Sequence, residues 1–219
     1  FEGGYPFTRA LEMIQAILIT LGVEEKGEVA KVWGEVLKEQ RLQELHHQVQ
    51  NPQSYLALVR RYGQMAGRSL QAEALAGYME EKIALIEAGY PRIKRRPRVY
   101  YCMGKPLFAI KGERLENQLV ELAGGYSVNK EIDADGRPGE TLTPDELMAI
   151  NPEVVFISAF LSTPVKSFYQ SCAENAIDIP AIRARRVYLH PSPGWDFGNP
   201  RWILGLMNMA NLLHPDIYH

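Results

Sequence analysis

LTPDELMAINPEVVFIS, residues 142–158, decides the fold. Thr143-Pro144-Asp145-Glu146 is a capping box with proline in the first helical turn. Such a pairing satisfies the free N–H groups that open a helix. Val154-Val155-Phe156-Ile157 then reads as a buried strand, a β-branched and aromatic run without polar alternation. A helix followed at once by a strand with no polar face points to an α/β layer with helices covering the sheet.

Working outward, the same alternation continues. Val99–Cys102 is a short strand, and Glu113 to Leu122 is a helix closed by Gly124-Gly125. Thr163-Pro164 opens a helix to about Asn175, Arg186–Leu189 is a third strand, and Pro200 starts a terminal helix that ends before His214-Pro215. Strands alternating with helices predict parallel pairing through right-handed crossovers. Toward the N-terminus the period changes. Leu11, Ile14, Ile17, Leu18 and Leu21 recur at helical spacing, as do Val29, Val32, Trp33, Val36 and Leu37 after a break at Gly22. Asn51-Pro52 opens another helix through Tyr55, Leu58, Val59 and Tyr62, stopping near Gly67. From Ser69, Leu75, Met79, Ile83 and Ile86 draw one apolar stripe down a long helix to Gly89, a stripe that needs a partner surface. Residues 1–48 are expected to be helical without strands.

The basic run Arg92, Lys94, Arg95, Arg96 and Arg98, broken by Pro91 and Pro97, is the composition break. We read it as a solvated linker. The resulting organisation is a helical segment over 1–68, a linking helix and basic linker over 69–96, and an α/β lobe over 97–219. That lobe is expected to be three-layered with a parallel sheet.

Bulk properties narrow the function. The 219 residues, 46% of them hydrophobic, support a buried core, and a net charge of -2 gives no overall attraction for phosphate backbones. Nucleic acid is therefore not an expected partner. No run of about 18 apolar residues occurs. The chain opens at Phe1 with neither initiator Met nor a basic-then-apolar leader, so we expect an upstream segment to have been removed. Cys102 and Cys172 lie far apart with no Cys or His at finger spacing, which indicates neither a zinc site nor a disulfide framework. The adjacent His46 and His47 face different sides of a helix and cannot ligate together. Gly124-Gly125 lacks the strand, third glycine and lysine of a phosphate loop. These readings argue against an enzyme, and no cofactor is expected.

In an open parallel sheet, ligands bind beyond the carboxyl ends of the strands. The loops there bring Tyr101, Lys105, Phe108, Phe160 and Trp195 to one edge, with Asp196 beside them and Arg201 starting the next helix. Aromatic rings offer an apolar wall, while Lys, Arg and a helix N-terminus favour an anionic group. Phe108 and Phe160 serve equally well as caps on the core. Trp195, among Pro191, Pro193 and Gly194, has little else to pack on.

Several stretches resemble the C-terminal lobe of the periplasmic substrate-binding proteins that serve iron-siderophore, haem and cobalamin ABC importers. They are RVYY at 98–101, LVELAGG at 119–125 with Asn129, residues 142–158, RVYL at 186–189, Gly194-Trp195 and Asn199-Pro200-Arg201. The helix from Ser69 to Gly89 is similar to the rigid helix joining the two lobes of that family. The resemblance implies non-enzymatic capture of an iron chelate or other metal-organic complex, an ABC permease as partner, and a periplasmic or cell-surface lipoprotein location. It assigns ligand contact to Tyr101, Lys105, Phe108, Phe160, Trp195 and Arg201, and permease docking to Asp196 as the acid near the final helix. The family's N-terminal α/β lobe is not recognisable in residues 1–48, so it is expected to be missing or replaced by helices. An exposed lobe face would then favour a homodimer. Two alternatives stand beside this reading. One is a nitrogenase-like metallocluster or enzyme lobe with Cys102 as a thiolate ligand; the other is a helical interaction module carrying a vestigial lobe.

Overall fold

The computed structural model describes residues 7–132, 139–158, 163–196 and 199–219. They group into two compact units. The first runs to residue 84 and takes in 199–200; the second comprises the described residues from 85 onward apart from those two.

The first unit is helical: α1 (Phe7–Thr20), α2 (Lys26–Glu39), α3 (Leu42–Gln50), α4 (Pro52–Met65) and most of α5 (Ser69–Glu87). Most of the periodic apolar positions form its core, while Trp33 is half-buried and Leu37 is exposed. Leu11, Ile14, Ile17, Leu18 and Leu21 are buried, as are Val29, Val32, Val36, Tyr55, Val59 and Tyr62. Helix α3 was not anticipated as a separate element, and it contributes the buried Leu45 and Val49. Asn51 caps α4, its Oδ1 accepting from the Gln53 and Ser54 amides at 2.9 and 3.2 Å. Gly67, at φ 66, reverses the chain into α5, and the backbones approach so closely at Gly63 that a Cβ there would overlap Ala72. Arg60 spans the junction, donating to Glu73 at 2.8 Å and Glu80 at 2.7 Å. Among the described residues of 7–48 there is no strand. Along α5, Met79, Ile83 and Ile86 are buried and Leu75 is half-buried.

The second unit is built on a sheet of β1 (Arg98–Cys102), β2 (Phe108–Ile110), β3 (Tyr126–Ser127), β4 (Gly139–Thr141), β5 (Val154–Ile157) and β6 (Val187–Leu189). The strand order is β4-β2-β1-β5-β6, with β3 pairing to β1. As expected, β1, β5 and β6 are parallel, with Cys102 opposite Ile157 and Ile157 opposite Leu189. The sheet is nevertheless mixed, because β2 runs antiparallel to β1 and β4. Gly104, at φ 73, makes the tight turn from β1 to β2. β2 and β4, three residues each, are too short to show a period in sequence.

Helices α6 (Leu115–Leu122), α7 (Pro144–Ile150), α8 (Val165–Glu174), α9 (Pro180–Arg183) and α10 (Trp202–Leu213) cover the sheet. The capping box forms as read: Thr143 Oγ1 accepts from the Glu146 amide at 3.2 Å, and Glu146 accepts from the Thr143 amide at 2.7 Å. On one face Tyr100, Cys102, Val155, Ile157 and Val187 pack with Leu147 of α7, Phe168 and Cys172 of α8, and Ala181 of α9. On the other, Val99 meets Val120 of α6 and Leu213 of α10 around Gly125. Helices on both faces explain why all four residues of β5 are buried, each such side chain contributing about 1.5–3 kcal/mol.

Arg92, Lys94, Arg95 and Arg96 of the basic run are exposed, and its guanidinium groups also have partners. Arg95 pairs with Glu153 at 2.7 Å, Arg96 donates to the Glu121 carbonyl at 2.8 Å, and Arg98 lies in β1 and pairs with Glu131 at 3.0 Å. Carboxylates and helix-end carbonyls of the same unit thus take up these guanidinium groups. Among the described residues, no helix is long and apolar enough to cross a membrane.

Candidate functional site

Because β1, β5 and β6 are parallel and in register, the chain leaves all three at one edge of the sheet. Met103, Ser158 and His190 follow their last residues. The residues picked out from sequence divide there into exposed and buried sets.

Lys105 is exposed on the β1–β2 turn, and Arg201 is exposed at the N-cap of α10. Trp195 is half-buried in the loop after β6, and Phe108 is half-buried at the start of β2. Phe160 lies outside the described residues.

Tyr101 and Asp196 are fully buried. The Tyr101 hydroxyl donates to Asp196 Oδ2 at 2.7 Å. This corrects the docking role given to Asp196, since an acid that meets a membrane partner has to be exposed. It also removes Tyr101 from the exposed wall and makes it a support beneath the loop.

Around this pair lies a polar cluster. His190 Nε2 is 3.1 Å from the Tyr101 oxygen, and His190 Nδ1 is 3.1 Å from Asn208 Nδ2 on α10. Phe156 stacks on both Tyr101 and His190, with ring centroids 5.8 and 5.4 Å apart. From the start of α6, the buried Arg114 and Glu116 form an ion pair at 3.4 Å. Burial lowers the His190 pKa to about 4. Burial raises the Tyr101 phenol well above its usual range, with the Asp196 charge adding to the effect. Glu116 is raised by burial against the opposing attraction of Arg114. In so dry a setting each hydrogen bond is strong and each unmet group costly.

Sequence reasoning missed Arg114, Glu116, His190 and Asn208. A buried ion pair has no signature in an ordinary charged stretch. The position of His190 directly after a strand was the one available signal.

Cys102 and Cys172 are free and buried in the same apolar face. Burial drives the Cys102 thiol far above its usual range and pushes Cys172 up to about 12. Among the described residues, no group of three or more His, Cys, Asp or Glu side chains is placed to hold a metal ion.

The fold is that of the periplasmic solute-binding proteins of ABC transporters. A periplasmic solute-binding protein from Veillonella parvula superimposes with a TM-score of 0.66 at 24% identity, over 77% of this chain and 52% of that one. IsdE from S. aureus, solved in complex with heme, gives 0.62 at 20% identity, over 75% and 66%. A protein of an ABC-type Fe3+-hydroxamate transport system from Saccharomonospora viridis gives 0.62 at 15% identity, over 74% and 56%. The chain thus spans about half the length of the first and third. No protein-family model matches it, and neither does any curated protein.

Proposed function

We propose that this chain is the ligand-binding component, or the C-terminal part of one, of an ABC importer for an iron chelate or related metal-organic complex. It captures its ligand outside the cytoplasm, in the periplasm or as a cell-surface lipoprotein, and passes it unchanged to a membrane permease. The observation that carries this reading is the placing of Trp195. It is half-buried in the loop beyond β6, at the edge where the parallel strands β1, β5 and β6 end and where ligands bind in sheets of this kind.

The neighbouring chemistry suits such a ligand. An indole offers a broad apolar surface, and the exposed Lys105 and Arg201 supply cations for carboxylate or propionate groups. Arg201 stands at the N-terminus of α10, where the helix dipole adds to its attraction for an anion. Solved proteins of this fold include one in complex with heme and one from an Fe3+-hydroxamate transport system, which supports the same ligand class. Titration with haemin, a ferric hydroxamate and cobalamin, followed by tryptophan fluorescence, tests the reading. Saturable quenching by one of them is expected; no response to any would overturn it.

A further inference from the structure

We propose that Asn208, His190, Tyr101 and Asp196 form a one-way hydrogen-bond relay that holds the loop 190–196, and with it Trp195, in one conformation before a ligand arrives. That the loop meets a ligand rests on the function proposed above; the relay does not.

The direction follows from proton counting. A phenol has one proton, and that of Tyr101 is given to Asp196 Oδ2 at 2.7 Å. Toward His190 the phenol oxygen therefore accepts, so the proton lies on Nε2, 3.1 Å away. A neutral imidazole then leaves Nδ1 bare, and Nδ1 accepts from the Asn208 amide at 3.1 Å. Every donor points the same way, from α10 through the loop and β1 to the carboxylate. A cationic His190 would break the sequence, because Nδ1–H would face the N–H donor of Asn208.

The surroundings favour the neutral ring. Tyr101 and Asn208 meet the two ring nitrogens of His190, Phe156 of β5 covers its face, and Arg114 and Glu116 compensate each other from the start of α6. The loop is also pinned at its backbone, where the Trp195 carbonyl rests against Gly205 of α10. Asp196 is thus a positioning residue: it anchors the residue next to Trp195 to β1, while Gly205 receives Trp195 itself.

Long-range 1H–15N NMR on the ligand-free chain reads the tautomer directly. At neutral pH His190 is expected solely as the Nε2–H form, staying neutral until the pH approaches about 4. Tyr101→Phe keeps the ring and removes the hydroxyl. It should abolish the single tautomer and speed hydrogen exchange at the Trp195 and Asp196 amides by about tenfold or more. Asp196→Ala should do the same to exchange, whereas Asp196→Asn, which retains an acceptor oxygen, should restore slow exchange. An Nδ1–H ring, a ring already cationic at about pH 6, or unchanged exchange in both Tyr101→Phe and Asp196→Ala would overturn the relay. Wild-type chain that shows the Nε2–H form and slow exchange but no quenching by haemin, ferric hydroxamate or cobalamin would sink the proposed function and leave the relay standing.

Discussion

The carbonyl oxygen of Trp195 sits against the α-carbon of Gly205, so close that a Cβ at that position would overlap it. The same Cβ would come within 3.5 Å of the His190 ring. Backbone on both sides leaves no flexible side chain to give way. Gly205→Ala should therefore displace the loop and destabilise the chain by about 1–3 kcal/mol, despite the better helix propensity of alanine. A thermal melt together with the tryptophan emission spectrum checks this; a variant as stable as the parent, with unshifted emission, would refute it.

His190 gives the stability a defined pH dependence. It titrates at about 4 in the folded chain against 6.5 as an ordinary histidine, so between these values the unfolded chain binds a proton that the folded chain does not. Its contribution is complete above about pH 6.5, declines as the pH falls toward 4, and changes no further below, a total of about 3 kcal/mol. Glu116 works in the other sense: its raised pKa gives stability present below 4.5 and lost as the pH rises through the folded value. Comparing urea unfolding of wild type and His190→Gln from pH 8 to 4 cancels the Glu116 effect. The variant should show a shallower acid loss; parallel curves would contradict the assignment.

Asn129 continues the sheet where β3 stops. Its Oδ1 accepts from the Tyr101 amide at 2.9 Å, and its Nδ2 donates to the carbonyls of Tyr101 at 2.8 Å and Ile110 at 2.7 Å. One side chain thus satisfies backbone groups of β1 and β2 that β3, paired only to Arg98 and Val99, does not reach. Asn129→Ala should cost about 2–5 kcal/mol by chemical denaturation, since several buried polar groups lose their partner together. A loss below about 1 kcal/mol would mean that water or a rearranged strand replaces it.

Tyr62 presents the reverse case. It is fully buried in the helical unit, and its hydroxyl has no hydrogen-bond partner among the described residues. Burial accordingly raises its phenol pKa. Tyr62→Phe removes a desolvated hydroxyl and keeps the packing, so it should leave stability unchanged or raise it by about 1 kcal/mol. A clear loss would reveal a hydrogen bond to this hydroxyl.

Legibility in the sequence followed the length of each signal. The stripes of α1, α2, α4 and α5 and the run of β5 could be read because several turns or a wholly apolar strand repeat one message. The capping box at Thr143 and Glu146 could be read because its chemistry is local. By contrast β2, β3 and β4 are two or three residues long and are strands only because β1 lies beside β2 and β3, and β2 beside β4. The strand ends located the candidate edge, but burial there depends on contacts distant in sequence. Tyr101 and Asp196, 95 positions apart, therefore looked like exposed ligand and docking residues when they bind each other.

The most direct test of the ligand-binding claim is a pair of titrations, wild type and Trp195→Ala, with whichever of haemin, ferric hydroxamate or cobalamin quenches the wild type, each alongside a thermal melt. If Trp195 faces the ligand from a preformed loop, its removal should weaken binding by roughly 5-fold to 150-fold, the equivalent of about 1–3 kcal/mol of lost aromatic contact, and should leave the melting point nearly unchanged. Unchanged affinity with a melting point many degrees lower would assign Trp195 to the core and contradict the account.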